Sequence, residues 1–207
     1  MKKKSLFVFI ALIVISFSNL IAQEKESSIE VRLLFINEST QNAVVANNII
    51  PAVSLKNNLF GGSLLYNYHY NNDWTFYFEA GFIAANVGVS TTMFSSSTET
   101  SVLIPIQLGA KYYLTGFYSD VPVKPYLKAG LGLVTGMESS VSTLNIEEHS
   151  ETVPLANFGA GFDFRLSSWL KAGFEIGYLA MDDFDSPISQ RTNYSDLEYS
   201  FGFAFIF

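Results

Sequence analysis

Only two imidazoles, His69 and His149, are available as general bases in this 207-residue chain. There is no cysteine to act as a nucleophile, a thiolate metal ligand, a disulfide half or a lipoprotein anchor. His149 stands in the run Glu147-Glu148-His149-Ser150-Glu151, where carboxylates could hold a divalent cation or the imidazole could activate Ser150. The spacing matches no metal-ligand pattern and reads first as a solvated acidic loop. His69 falls beside a short turn and reads as a packed polar residue. The pair Gly130-Leu131-Gly132 lies inside an extended segment instead of ahead of a helix, so it is no nucleotide-binding loop. No catalytic, cofactor-binding or metal-binding set is assigned.

The other residues able to do chemistry are charges embedded in apolar surroundings: Glu30, Arg32, Glu79, Lys111, Lys128, Asp163, Arg165, Lys171, Glu175 and Glu198. What positions them is a period of two. From Val102 to Leu114 the residues Val102, Ile104, Ile106, Leu108, Ala110, Tyr112 and Leu114 share one face, and Gln107, Gly109, Lys111 and Tyr113 share the other. The final segment repeats the pattern, with Leu197, Tyr199, Phe201, Phe203, Phe205 and Phe207 on one side. The same reading predicts eight strands, over 28–37, 59–70, 74–88, 101–114, 124–136, 153–166, 169–181 and 194–207. Connections at 38–58, 89–100, 137–152 and 182–193 are long and all fall at one end. Those at 71–73 and 167–168 are short, and 115–123 is intermediate.

Which face points inward follows from size. The apolar faces carry Phe76, Phe78 and Phe82, then Leu127, Leu131 and Leu133, then Phe158, Phe162 and Phe164. The opposite faces carry Gly81, Gly109, Gly130, Gly132, Gly159, Gly161, Gly173, Gly177 and Gly202 with the charges. The interior of an eight-stranded barrel is only wide enough for side chains to fill. Aromatic rings outside in lipid, with glycines inside making room for Arg, Lys, Glu and Tyr, satisfy that limit. The expected fold is an all-β, eight-stranded antiparallel transmembrane up-and-down β-barrel, closed so that every strand N–H and C=O is paired. The five cations and five anions inside balance, as a salt-bridged plug requires, because an unpaired charge taken out of water costs several kcal/mol. Pro105 and Pro125 cannot donate to a ladder and predict a bulge or strand end.

The chain opens with Lys2, Lys3 and Lys4, an apolar run from Leu6 to Ile15 and a small residue at Ala22. That predicts a signal peptide over 1–22 and a barrel domain over 23–207. The apolar run is roughly 10 to 12 residues, where a spanning helix needs about 20. Losing those three lysines takes the formal charge from −7 to −10, which disfavours nucleic acid as a partner. Glu38, Glu99, Glu138, Glu147, Glu148, Glu151, Asp182, Asp183 and Asp185 fall in the long connections, against Lys56 and Arg191. An acidic outer surface is expected, with divalent cations as candidate partners at Glu147, Glu148 and Glu151. Tyr66, Tyr68, Tyr70, Trp74, Tyr112 and Phe207 at one end, and Phe35, Phe60, Tyr178 and Tyr199 toward the other, fit interfacial girdles.

The segments IPIQLGAKYYL (104–114), KPYLKAGLGL (124–133) and FGAGFDFRLSSWLKAGFEIGY (158–178), with the closing aromatic strand to Phe207, resemble the small outer-membrane β-barrel family that includes the OmpA transmembrane domain and the OmpX and OmpW types. The resemblance implies an outer-membrane location with both termini periplasmic, contact with lipid and lipopolysaccharide, and recognition of the strand ending at Phe207 by the barrel-insertion machinery. The peptidoglycan-binding domain of full-length OmpA has no counterpart after Phe207. The resemblance is specific for architecture and open as to activity. A non-enzymatic barrel serving envelope integrity or surface contact comes first. A narrow conduit for small or apolar molecules comes second, and a lipid A-modifying enzyme third. Such enzymes work at the outer leaflet, the end opposite His69.

Overall fold

A computed structural model describes residues 26–37, 59–92, 95–118, 120–141, 146–189 and 191–207. The signal-peptide reading of 1–22 falls outside these residues, as do Glu38, Lys56 and the side chains of Glu99 and Glu147. The eight alternating segments become strands: β1 (Ser27–Ile36), β2 (Leu59–His69), β3 (Trp74–Thr92), β4 (Ser95–Tyr113), β5 (Val123–Val141), β6 (Ile146–Arg165), β7 (Leu170–Met181) and β8 (Asp196–Ile206). Each pairs antiparallel with the next, and β8 returns to β1 with Arg32 opposite Gly202, which closes the barrel.

The alternation marks the barrel wall and stops there. β3 to β6 are 19 or 20 residues long, against 10 to 12 for the other four. The connections expected over 89–100 and 137–152 are therefore mostly strand. β3 outlasts its last partner on β2 at Ala84, and β6 its last partner on β7 at Leu155. The four strands continue as a sheet, with Thr98 opposite Val141 and Glu138 opposite His149. At ~3.3 Å per residue the sheet extends roughly 25 Å past the barrel rim. Its sequence is rich in Ser and Thr, so it carries no two-period signal, while β-branched residues still favour extended backbone.

Pro105 lies in mid-strand, a correction to the expected bulge or strand end. The β3–β4 pairing lapses between Ala80↔Ile106 and Ile83↔Leu103 yet keeps its register. The one-residue shift comes later, between Ala84 and Asn86. Pro105 still pairs on its other side with Val134, so only the β3 side goes without its N–H. Pro125 is the third residue of β5, near a strand end as expected.

The faces divide as size requires. Leu108 and Leu131 are 65% and 69% exposed, with Phe76, Phe82, Phe158 and Phe203 on the same outward side, whereas Arg32, Lys111 and Lys171 are buried inside. The interior is built in three levels. An apolar level near the projecting sheet contains Leu34, Ile36, Leu59, Ile83, Leu103, Val134, Leu155 and Leu179. Charges occupy the middle. An aromatic base of Tyr113, Phe117 and Tyr126, with Ile206, lies at the end where Ser27 pairs with Phe207.

Candidate functional site

Six interior charges from five strands form one continuous relay. Lys111 Nζ lies 3.2 Å from Glu30 Oε2. Arg32 donates from Nε to Glu30 Oε1 at 2.6 Å and from Nη1 to Glu175 Oε2 at 2.9 Å. Lys128 Nζ then bridges Glu175 Oε1 at 2.9 Å and Glu79 Oε2 at 3.0 Å. Neutral donors take up the remaining carboxylate capacity: Tyr126 Oη to Glu175 at 2.9 Å, Ser63 Oγ and Gln107 Nε2 to Glu79 at 2.7 Å each, and Asn67 Nδ2 to Glu30 at 3.2 Å. Lys171 and Asp163 pair separately at 2.6 Å, with Tyr113 Oη donating to the same carboxylate at 2.7 Å. Charges this deep persist only when each is paired and hydrogen-bonded.

Glycine makes the relay possible by leaving the wall bare where a long side chain must lie. A Cβ at Gly202 would come 2.7 Å from Arg32 Cγ, and one at Gly161 would come 2.7 Å from Tyr126 Oη. Gly109 and Gly130 face each other across β4 and β5, and the phenol of Tyr77 lies over both.

Of the ten charges read from the sequence, Glu30, Arg32, Glu79, Lys111, Lys128, Asp163, Lys171 and Glu175 meet in these contacts. Glu198 is buried, but among the described residues no cation lies within 4 Å of it. Arg165 stands apart, a correction to its place in the plug. As the last residue of β6 it is about a third exposed, donates to the carbonyls of Ser167 and Ser168, and lies 3.8 Å from Glu26. Lys124, unassigned in the sequence reading, is buried instead, with its ammonium 5.8 Å from the centre of the Phe117 ring.

Both ends of the interior are stoppered by connections. At the end where Ser27 meets Phe207, Phe117 turns inward from the connection between β4 and β5 and stacks on His69 at 3.7 Å. Gly116, at φ 77°, permits the turn, and Asn72 holds it through its carbonyl and Oδ1, which accept from Phe117 N and Tyr118 N. His69 Nδ1 is 2.6 Å from Thr75 Oγ1 and Nε2 is 3.4 Å from Ser28 Oγ, which makes it a packed group.

At the other end, residues 182–195 fold over the barrel mouth and bury Phe184, Ile188 and Tyr194. Gly136 is their seat, since a Cβ there would come 2.9 Å from both Phe184 and Ile188. Carboxylates from the projecting sheet pin this loop: Glu151 accepts from Asp185 N at 2.7 Å and Ser186 N at 3.2 Å, and Glu138 accepts from Ser189 N at 2.6 Å. The two backbone N–H donors hold the Glu151 carboxyl below the usual carboxylate range. Glu138 and Glu151, expected as members of a free acidic surface, are thus occupied within the chain. Among the described residues no three His, Asp or Glu side chains converge in a metal-holding arrangement. The trace of the stopper in the sequence is a set of apolar residues, Phe184, Ile188 and Tyr194, inside a run of acids and turn formers.

The interior is closely filled where its ends are described. Crevices at its two ends hold about 10 Å³ beside Ile36 and Tyr194 and essentially nothing beside Phe117 and Lys171. Hollows of about 470 and 270 Å³ both lie on the outward side, the first over Gly62 between Leu64 and Phe82, the second beside Leu131 and Pro154. Outward aromatics gather in two belts. Trp74 packs on Tyr112 and Trp169 on Phe205 toward the Phe207 end, and Phe35 packs on Phe60 toward the mouth.

The model of the outer membrane protein beta-barrel domain family matches residues 7–207. No curated protein matches the sequence. Solved structures that share the fold include Ail, the attachment invasion locus protein of Yersinia pestis, at 18% identity and TM-score 0.52, with 89% of this chain and 100% of that one covered. Neisserial surface protein A is similar at 17% identity and TM-score 0.54, covering 87% and 96%. OprG of Pseudomonas aeruginosa aligns at 12% identity and TM-score 0.53, covering 88% and 96%.

Proposed function

We propose, for a chain that belongs to the outer membrane protein beta-barrel domain family, a non-enzymatic role in the outer membrane, serving envelope integrity and contact at the cell surface. The observation that carries this reading is the combination of a filled interior with a sheet that projects from one end only. A salt-bridged core stoppered at both ends supports an anchor over a conduit. In this reading residues 1–22 are removed on export, both termini face the periplasm, and β3 to β6 rise into the medium. The exposed Asp182, Asp183 and Asp185 lie in the loop over the mouth and Glu148 on the projecting sheet, which suits a basic partner or divalent cations, the latter at carboxylates other than Glu138 and Glu151. A structure of Ail holds the heparin analogue sucrose octasulfate; the acidic rim here opposes such a polyanion.

Cells lacking the protein, cells carrying it, and cells carrying a variant whose β3–β4 and β5–β6 hairpins are cut back to the barrel rim separate the two roles. The full protein is expected to restore both resistance to detergent and adhesion to host or abiotic surfaces. The trimmed barrel is expected to restore resistance alone. Equal behaviour of all three strains, with altered lipid A on overproduction, would contradict the reading and favour an enzyme.

A further inference from the structure

Asn157 is fully buried on β6, and neither its Nδ2 nor its Oδ1 has a hydrogen-bond partner among the described residues. Two further groups lack one close by: the hydroxyl of Tyr77 and the Oε1 of Gln107. Their placement is systematic. Tyr77, Gly109, Gly130 and Asn157 follow one another along a single register row across β3 to β6. Tyr77 Oη lies over Gly130, and Gln107 Oε1 comes within 3.0 Å of the point a Gly130 Cβ would occupy. The orientation of Gln107 is fixed from its other end, because Nε2 donates to the Glu79 carboxylate at 2.7 Å and only Oε1 can face Gly130.

On the opposite side Asn157 Nδ2 points toward Gly177, 3.8 Å from where its Cβ would be. No side-chain atom comes closer to that point. Gly177 pairs with Glu198, the interior acid without a cation within 4 Å among the described residues. A Cβ at Gly177 would lie 3.1 Å from the Phe158 carbonyl oxygen and 3.6 Å from Gly159 Cα. The place is thus bounded by a carbonyl acceptor and an amide donor and neighboured by a carboxylate, which are the polar partners a buried water needs. Buried donors and acceptors left unpaired are costly, and in folded proteins ordered water commonly meets them.

We propose that Asn157 anchors buried water on both of its faces: one molecule over Gly177, accepting from Nδ2 and donating toward Glu198, and one beside Gly130, joining Oδ1 to Tyr77 and Gln107. These waters form a hydrated seam between the ionic relay and the apolar level above it. Tyr77 connects the seam to the relay, since the Lys128 ammonium lies 4.9 Å from the centre of its ring.

The test is a water-to-amide nuclear Overhauser spectrum of the full barrel, isotope-labelled and folded in phospholipid nanodiscs. The Asn157 side-chain amide protons are expected to show a cross-peak of the sign given by water held longer than molecular tumbling. Gly177→Ala fills the first position and is expected to weaken that peak at least twofold while the heat-dependent gel shift persists. Tyr77→Phe is expected to leave the peak in place, since it arises from water and not from a protein hydroxyl. A folded wild type with no Asn157 cross-peak overturns the proposal. So does a peak undiminished in Gly177→Ala, or one that disappears in Tyr77→Phe.

Discussion

The ammonium of Lys128 on β5 meets the carboxylate of Glu175 on β7 at 2.9 Å, although β6 stands between the two strands in the barrel wall. The same carboxylate reaches back across β8 to Arg32 on β1. Glu175 thus joins parts of the wall that share no backbone ladder. Glu175→Gln is expected to destabilise the folded barrel by about 3–5 kcal/mol, because it leaves two buried cations under-compensated. Lys128→Met combined with Glu175→Met is expected to cost less than the two single changes together. Urea unfolding followed through Trp74 and Trp169 gives both numbers, and strict additivity would contradict the relay.

The loop over the mouth is held partly by Glu151, whose carboxyl is kept below its ordinary range by the N–H groups of Asp185 and Ser186. A carboxyl depressed in the folded state contributes stability above its unfolded value and loses it as pH falls through the folded one. His149 Nε2 stands 3.9 Å from the same carboxylate. The amide shifts of Asp185 and Ser186 are therefore expected to hold through the range in which a free glutamate titrates and to move only at lower pH. Glu151→Gln is expected to abolish that transition, and an unchanged titration in the variant would assign it to another acid.

Gly136 is the seat of Phe184 and Ile188. Gly136→Leu is expected to displace residues 182–195 without dissolving the barrel, because the seat lies near the rim and above the ionic relay. Limited proteolysis of folded protein checks this: cleavage between 182 and 195 should rise several-fold while the heat-dependent gel shift remains. Resistance equal to wild type would show that the loop is held without its apolar anchors.

On the outward face, Leu131→Lys places a charge in the apolar belt, at a cost of about 2–4 kcal/mol near the bilayer midplane. Ser150→Lys lies on the projecting sheet and is expected to assemble normally. Comparing the heat-shifted fraction of the two in isolated outer membranes checks the face assignment, which equal assembly would contradict.

The wall was legible in the sequence because its two sides meet different media. Alternation at Val102 to Leu114 and at Leu197 to Phe207 records that difference residue by residue, and the glycines opposite the aromatics reveal the inward side. The projecting parts of β3 to β6 are rich in Ser and Thr, so Ser95 to Ser101 shows no apolar period and reads as a loop. Inside, alternation locates Arg32, Lys128 and Glu175 on the inward face but not their partners, because contacts such as Lys128 to Glu175 depend on the stagger of the whole barrel. Arg165 fits the pattern yet lies too near a turn to be enclosed. Phe117 and Phe184 escaped because they sit in connections, where an apolar residue has no periodic neighbours to declare its direction.

The proposed role requires a barrel whose filled interior conducts nothing. Purified protein inserted in planar lipid bilayers, with insertion verified by the heat-dependent gel shift of reisolated material, tests it directly. The expected record is a flat baseline with no unitary steps in molar salt, for the wild type and for Ser150→Lys alike. Stable, reproducible conductance steps from the wild type would contradict the account and place a passage where the Lys128 and Glu175 relay now stands.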